Sequence, residues 1–278
     1  MVRHARLDAE LVRRGLARSR EQAAQLIIDG RVRVAGTRAM KAATGVTPDT
    51  PVTVRHAAQA PDYVSRGGHK LAGALRTFGQ ATAPLTVPGK GCLDAGASTG
   101  GFTDVLLRAG AARVAAVDVG YGQLAWELRQ DPRVAVWERT NVRGLAPEEI
   151  GGQAALTVAD LSFIGLRLVL PALARCTAAD GDLVLLVKPQ FEVGRDQLGD
   201  GGVVRDPQLR TGAVIAVAKA AQDLQLLMRD VVASTLPGPS GNVEYFLWLA
   251  SAAGTVPEQQ DEQTLTGAVA RAVREGPA

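Results

Sequence analysis

Two charged residues at the ends of predicted strands are the first candidates for chemistry in this sequence. Lys188 follows the apolar run DLVLLV, and Asp160 follows ALTVA. Open α/β sheets bind ligands at the carboxyl ends of their strands, so both side chains are expected at one ligand site. A lysine there can accept a proton or stabilise developing negative charge, and a carboxylate can orient it. Each charge alone could also be an ordinary solvated strand end.

A glycine-rich loop follows another predicted strand and opens a helix. Its sequence is CLDAGASTGGFTD, with Gly96, Gly100 and Gly101. Asp118 ends the next strand 22 residues after Gly96 (118 − 96), where a carboxylate can accept hydrogen bonds from ribose hydroxyls. The GxxxGG spacing differs from the dinucleotide pattern GxGxxG, and Asp94 would repel a pyrophosphate. A cationic cofactor without phosphate, such as S-adenosylmethionine, fits better; a tight turn that binds nothing is the alternative.

The elements that must position these residues alternate between strand and helix. Such alternation predicts an α/β fold, a Rossmann-like sheet with helices on both faces. The predicted strands cover residues 91–96, 113–120, 134–139, 155–160, 182–191, 228–234 and 244–250. The predicted helices cover residues 65–78, 102–108, 123–129, 166–175, 207–222 and 264–275. The glycine-rich, charged segment 194–207 is either a lid over the site or only a long loop.

The first sixty residues have a different pattern and a different charge. They hold 11 Lys and Arg against 5 Asp and Glu, a net charge of +6 (11 − 5), whereas the whole chain carries +3. Helices are predicted over 5–15 and 20–29, the second capped by Ser19 with Gln22, followed by strands at 31–36 and 51–56. We therefore predict a small α+β domain over 1–60, a linker at about 56–64 and a second domain over 61–278. The basic domain indicates a polyanionic partner or a solvated charged face.

Composition excludes several other classes of protein. No apolar run reaches the ~18 residues of a membrane span, and the N-terminus lacks the apolar core of a signal peptide. Cys92 and Cys176 lie in apolar contexts without CxxC spacing or a histidine cluster, so buried, reduced thiols and no metal site are expected. These features predict a cytoplasmic location.

Six motifs together resemble one family. They are YVSRGGHKL, CLDAGASTGGF, DVGYGQL, VADLSFI, LVKPQFEVG and GPSGNVEYF, in this order. The sequence resembles the TlyA family of S-adenosylmethionine-dependent ribosomal RNA methyltransferases, whose members have also been labelled hemolysins. The resemblance implies an FtsJ-like methyltransferase domain preceded by an S4-like RNA-binding domain. It also implies methylation of the ribose 2′-oxygen of cytidine in rRNA. The extended arm ARLDAELVRRGLARS is associated with forms that modify both subunits' rRNA.

The resemblance also assigns site residues. The family's catalytic tetrad falls on Lys70, Asp160, Lys188 and Glu244. Lys188 would act as general base or electrostatic stabiliser, Asp160 would orient it, and Lys70 and Glu244 would position the hydroxyl. The expected cofactor-binding residues are Asp94, Gly96, Ser98, Thr99, Gly100, Gly101, Phe102, Asp118, Val119 and Asp160.

Eight arginines are the candidate RNA contacts. Seven lie in the first domain and Arg66 follows the linker: the seven are Arg6, Arg13, Arg14, Arg18, Arg20, Arg31 and Arg33. Because no aromatic residue is interleaved with them, recognition of RNA shape and phosphates is expected rather than base stacking. The expected partner is ribosomal RNA or a ribosomal subunit, bound by a monomer without metal or membrane.

Three other functions remain to be weighed. A non-catalytic RNA-binding or ribosome-assembly protein would not need the intact tetrad. A membrane-active hemolysin would need an amphipathic or spanning segment. A small-molecule methyltransferase would not need the basic first domain.

Overall fold

The computed structural model describes residues 5–17, 19–54, 62–251 and 262–276. They form two compact units, Met1–Asp62 and Tyr63–Ala278. Most of the predicted linker lies outside the described residues.

The first unit combines two short helices with small antiparallel sheets. Its elements are β1 Ala5–Arg6, α1 Leu7–Arg13, α2 Arg20–Ile28, β2 Val32–Val34, β3 Thr37–Arg38, β4 Gly45–Val46 and β5 Val52–Val54. The Ser19 hydroxyl caps α2 by accepting a hydrogen bond from Gln22 N, as predicted. Ala5 and Arg6 form a strand instead of starting the first helix, because they pair with β4. The unit has its own core, in which Leu7, Leu11 and Ile27 are almost completely buried.

The second unit contains one sheet of seven strands, and the α/β class is confirmed. Its strands are β6 Gly91–Ala95, β7 Arg113–Val117, β8 Val134–Trp137, β9 Ala154–Ala159, β10 Thr177–Val187, β11 Leu226–Ala233 and β12 Tyr245–Ser251. Its helices are α3 Arg66–Phe78, α4 Gly101–Arg108, α5 Trp126–Arg129, α6 Leu166–Arg175, α7 Pro189–Glu192, α8 Pro207–Gln222 and α9 Glu262–Glu275. Short 3₁₀ turns occur in the loops, two of them within 194–207.

The strand order places a ligand crevice beside β6. The order is β11-β12-β10-β9-β6-β7-β8, in which β12 alone runs antiparallel to both of its neighbours. The chain moves outward from β6 to β8 and then returns to the other side of β6 as β9. Ligands of open sheets bind where the order reverses in this way, at the carboxyl ends of the strands.

Alternating side chains of the sheet bury two hydrophobic layers. Leu93 of β6 packs in the layer that contains residues of α6, α8 and α9. Cys92 of the same strand packs in the layer that contains residues of α3 and α4. Both cysteines are free and buried, as predicted.

Two predicted elements have different bounds in the structure: one strand ends earlier and one helix begins later. The strand expected over 182–191 stops at Val187, because Pro189 has no amide hydrogen for the sheet and occupies the start of α7. The helix expected from residue 123 begins only at Trp126. The residues before it form a loop, in which Gly120 N and Gly122 N donate hydrogen bonds to the carboxylates of Asp118 and Glu138.

Candidate active site

A cleft of about 290 Å³ opens at the carboxyl ends of the parallel strands. It gathers residues from the glycine loop, from α3 and from the ends of β9 and β10. The predicted residues that line it are Arg66, Lys70, Gly96, Ser98, Thr99, Gly101, Phe102, Asp160 and Lys188. Residues far apart in the sequence therefore share one concave surface.

Lys188 and Asp160 form an ion pair at the edge of this cleft. Lys188 Nζ lies 2.7 Å from Asp160 Oδ1, and the lysine side chain is only 10% exposed. The ammonium also donates a hydrogen bond of 2.8 Å to Ser162 Oγ. Asp160 and Ser162 therefore hold the Lys188 amine in one position facing the cleft.

Lys70 and Glu244 form a second ion pair, which is more deeply buried. Lys70 Nζ lies 2.6 Å from Glu244 Oε2, and their side chains are 6% and 1% exposed. Lys70 lines the cleft, whereas Glu244 does not. Glu244 therefore reaches the cleft through Lys70, and the role of the pair in positioning the hydroxyl stays a prediction.

The glycine loop requires glycine where the backbone approaches other elements. Gly96 has φ +87°, and a Cβ there would lie 2.5 Å from the carbonyl oxygen of Asp160. Gly101 starts α4, and a Cβ there would lie 2.8 Å from Gly68 N of α3. The loop is thereby packed directly against the two elements that carry Asp160 and Lys70.

Gly100 packs closely against the core beneath the loop. It has φ +98°, and a Cβ would collide with Leu128 and Leu124 beneath the loop. Gly100 is not among the residues that line the cleft. Backbone conformation and core packing by themselves therefore require glycine at this position, and its contact with the cofactor stays a prediction.

The Asp118 carboxylate connects the glycine loop to the loop that follows β7. Its Oδ2 accepts a hydrogen bond of 2.8 Å from Ser98 N, and its Oδ1 accepts one of 2.6 Å from Gly120 N. Asp118 also borders a small second pocket next to Ser98. A carboxylate oxygen can accept more than one hydrogen bond, so Asp118 retains capacity for a ligand hydroxyl. The neighbouring Val119 is 68% exposed and borders neither pocket.

Asp94 lies beneath the glycine loop and not in the cleft. It is completely buried, and its Oδ2 accepts a hydrogen bond of 2.6 Å from Thr103 Oγ1. Its Oδ1 has no hydrogen-bond partner among the residues that the structure describes. Burial raises the pKa of this carboxyl to about 7. The Asp94 side chain therefore supports α4 from below, and its contact with the cofactor stays a prediction.

Glu192 connects the two strand ends that carry Asp160 and Lys188. Its Oε1 accepts a hydrogen bond of 2.5 Å from Leu166 N at the start of α6, and its Oε2 pairs with Arg167. Burial raises the pKa of this carboxyl. Because α6 follows Asp160 and α7 follows Lys188, the contact fixes the two loops relative to each other.

Several residues of the cleft were not anticipated from the sequence. They are Ser65, Gly67, Ala97, Ser162 and Pro239, all of them inside motifs that were recognised for neighbouring residues. Phe163 follows Ser162 with φ +64° and is 92% exposed, with its ring 5.5 Å from that of Phe191. The periodicity of the sequence does not indicate that the Phe163 ring is exposed or that its backbone is left-handed.

The segment 194–207 is attached to the rest of the unit at its end. The buried Asn242 accepts a hydrogen bond of 2.9 Å from Val204 N and donates one of 3.0 Å to Gly202 O. These contacts favour a fixed loop over a freely moving lid.

The candidate RNA-binding arginines have unequal surroundings. Arg6, Arg13 and Arg20 have side chains that are 53%, 62% and 60% exposed. Arg33 donates to the Gly36 carbonyl, and Arg31 borders a pocket of the first unit. Arg66 lines the cleft and donates to Pro237 O. Arg18 lies outside the described residues.

Arg14, another candidate RNA contact, is bound to other parts of the first unit. Its side chain is 19% exposed and pairs with Glu10. Its remaining nitrogens donate to the carbonyl oxygens of Thr47, Pro48 and Thr50. With its donors committed to the protein, this guanidinium holds the 47–50 turn against α1.

The described residues contain neither a metal-binding group nor a membrane helix. No cluster of three or more His, Cys, Asp or Glu side chains could hold a metal ion in the described part of the chain. No helix in the same residues has the length and apolarity to cross a membrane.

Comparison with known proteins identifies the family. A family model described as FtsJ-like methyltransferase matches residues 63–251, and one described as S4 domain matches residues 5–52. The chain is 60% identical over 277 residues to the 16S/23S rRNA (cytidine-2′-O)-methyltransferase TlyA of Mycobacterium tuberculosis, covering 100% of both proteins. The chain belongs to the TlyA family of FtsJ-like methyltransferases.

A second relative and a solved structure also match most or all of the chain. A Bacillus subtilis protein provisionally described as the rRNA methyltransferase YqxC is 42% identical over 88% of this chain and 85% of its own length. A solved structure from Streptococcus thermophilus, provisionally described as a hemolysin, is 37% identical with a TM-score of 0.73. It covers 99% of this chain and 98% of its own.

Proposed function

We propose that this protein transfers a methyl group from S-adenosylmethionine to the ribose 2′-hydroxyl of cytidine in ribosomal RNA. The observation that carries the proposal is the Lys188–Asp160 ion pair, which faces a cleft lined by the glycine loop and by a second lysine, Lys70. The TlyA relative from M. tuberculosis is named for this reaction on 16S and 23S rRNA. The rRNA of both subunits is therefore the proposed substrate, and the cytoplasm the proposed location.

The residues around the cleft fit S-adenosylmethionine. Carboxylates flank the glycine loop, with Asp160 in the cleft and Asp118 beside Ser98. Such an environment suits a cation with a ribose and disfavours a pyrophosphate. Gly96, Ser98, Thr99, Gly101 and Phe102 would hold the cofactor from the loop side. When bound, S-adenosylmethionine supplies an electrophilic methyl group on a sulfonium.

The chain's own residues prepare the hydroxyl for attack. Lys188, held by Asp160 and Ser162, either accepts the hydroxyl proton as the neutral amine or, as the ammonium, stabilises the developing alkoxide while water takes the proton. Lys70 is a second cation at the cleft, and Glu244 keeps it in place through their 2.6 Å contact. Because these groups are oriented before substrate binds, little reorganisation is needed during the reaction.

The surroundings of the cleft suit an RNA backbone and a base. Arg66 at the rim can contact phosphate or sugar oxygens. The exposed ring of Phe163 next to Ser162 can stack on an unpaired base. The basic first unit provides further phosphate contacts, and one copy of the chain supplies all of these groups.

The test is methyl transfer to unmethylated ribosomal subunits and to protein-free rRNA. Mass-spectrometric mapping should find 2′-O-methylcytidine in the 16S and 23S rRNA after incubation with protein and cofactor. A protein that binds S-adenosylmethionine but methylates none of these RNAs would contradict the proposal. It would leave a non-catalytic RNA-binding protein or a small-molecule methyltransferase.

A further inference from the structure

One buried carboxylate in the first unit joins two exposed arginines. Asp8 of α1 is 5% exposed. Arg6 donates through Nε and Nη2 to both of its oxygens, at 3.1 and 3.0 Å, and Arg20 Nη2 donates to Oδ2 at 3.1 Å. Arg6 precedes α1 and Arg20 opens α2, so Asp8 links the beginnings of both helices.

The two guanidinium groups remain available to a ligand. Their side chains are 53% and 60% exposed, although each is held on one side by Asp8. A guanidinium has five N–H donors, of which Arg6 uses two on Asp8 and Arg20 uses one. The remaining donors can contact an oxyanion.

We propose that Asp8 is a positioning residue for RNA binding, which holds Arg6 and Arg20 as a preformed pair for phosphates of an RNA backbone. This inference rests on the proposed function, since it names the part of the arm that binds the substrate. Arginine matches phosphate through its planar fork of donors. Two arginines that are ordered before binding lose less side-chain freedom when the complex forms.

The other buried acid of α1 provides a contrast. Glu10 pairs with Arg13 and Arg14 at 2.6 Å in both cases. Arg14, however, is bonded to three backbone carbonyls of the 47–50 turn. Glu10 therefore maintains the fold of the unit on its Arg14 side, whereas both arginines of Asp8 face solvent.

Two single variants that remove the same charge separate positioning from simple electrostatics. Asp8→Asn and Glu21→Gln each remove one negative charge, and Glu21 is an exposed neighbour of Arg20 with no ion pair among the described residues. We expect Asp8→Asn to weaken binding to unmethylated ribosomal subunits about five- to fifty-fold. Glu21→Gln should bind as tightly as wild type or tighter. Unchanged or tighter binding by Asp8→Asn overturns the proposal.

A double-mutant cycle excludes a purely structural effect. In an Arg6→Ala/Arg20→Ala background, Asp8→Asn should cause no further loss of affinity. A further loss of affinity as large as in the wild-type background would show that Asp8 does not act through Arg6 and Arg20, and it would overturn the proposal. If Asp8→Asn does not fold, Arg6→Lys/Arg20→Lys decides: it keeps both charges but loses the fork, so wild-type affinity would be the contradicting result.

Methylation measured in parallel distinguishes this proposal from the proposed function. Asp8→Asn should raise the subunit concentration that gives half-maximal methylation by about the same factor by which it weakens binding. A wild-type protein that binds subunits without methylating them would contradict the proposed function, whereas the affinity comparison would still test Asp8.

Discussion

Three aspartates of the second unit show how surroundings assign a role to a residue type. Asp160 contacts Lys188, Asp118 binds backbone amides of two loops, and Asp94 is buried against Thr103. All three lie at or beside strand ends, yet only Asp160 faces the larger cleft. Two substitutions test these surroundings: one removes the amine of Lys188, and the other removes the buried charge of Asp94.

The first test concerns Lys188. Lys188→Met keeps most of the side-chain volume but removes the amine, so cofactor affinity should stay within a few-fold of wild type. Single-turnover methylation of rRNA should fall at least ~100-fold, since a positioned acid–base group is lost. Lys219→Met, which removes an exposed lysine paired with Glu262 on the surface, is the matched control and should leave the rate unchanged.

A Met variant that methylates within a few-fold of wild type would remove Lys188 from the mechanism altogether.

The second test concerns the buried Asp94, whose pKa is raised by burial to about 7. Because the folded pKa lies above the unfolded value of about 4, the folded state binds the extra proton between these values. Asp94 therefore favours folding below about pH 4, and this contribution is lost as the pH rises through about 7. Asp94→Asn keeps an acceptor for Thr103 but has no charge to bury.

The Asn variant should gain stability relative to wild type as the pH rises. Urea unfolding at pH 5 and pH 8 should show an increase in this difference of roughly 1–3 kcal/mol. Asp180→Asn, at an exposed position of β10, should show a much smaller change. A difference between Asp94→Asn and wild type that does not vary with pH would argue against a buried, titrating carboxyl.

At the scale of elements, the close contact of α3 with α4 sets the position of Lys70 relative to the glycine loop. α3 bears Lys70, and the glycine loop leads into α4 at Gly101. Asp104 of α4 also accepts a hydrogen bond of 3.0 Å from Val64 N, just before α3. The positions of Lys70 and of the glycine loop therefore depend on the same interface.

Gly101→Ala tests this interface against a second helical glycine. A Cβ at Gly101 would meet the backbone of Gly68 and the hydroxyl of Ser65, so a loss of about 1–3 kcal/mol and weaker cofactor binding are expected. A Cβ at Gly267 in α9 would meet nothing within 4 Å, and Gly267→Ala should stabilise by about 0.5–1 kcal/mol. Chemical unfolding and calorimetric titration measure both; equal behaviour of the two variants would contradict the packing argument.

At the scale of the whole molecule, the chain forms two units, each with its own hydrophobic core. The first unit buries Leu7, Leu11 and Ile27 in its own cluster, and the second unit buries two layers around its sheet. The charge is divided as well, since the first sixty residues are strongly basic. Substrate binding and chemistry can thus be separated experimentally.

Deletion of residues 1–62 should leave a folded methyltransferase unit. We expect it to bind S-adenosylmethionine with an affinity close to wild type but to bind rRNA weakly and with a shallower salt dependence, because phosphate contacts are lost. Affinity for ribosomal subunits measured at several salt concentrations is the readout, with cofactor binding as the control. If the truncated protein binds subunits as tightly and with the same salt slope, the first unit is not the RNA-binding element.

The sequence alone was sufficient for the α/β class and for most elements. Local periodicity and capping are encoded within short segments, so α6 and α8 were predicted with the bounds that the structure shows. The motifs around Lys70, Asp160, Lys188 and Glu244 were also recognisable without coordinates.

Only the tertiary structure decided how these residues are paired and which of them face the cleft. Because β12 runs antiparallel beside β10, Glu244 at its start reaches the carboxyl edge of the parallel strands, where it pairs with Lys70. Asp94 is turned under the loop and Arg14 is bound to a turn more than thirty residues away, as its contact with Thr47 shows (47 − 14 = 33). Such outcomes depend on strand order, register and long-range packing, which no local pattern of residues specifies.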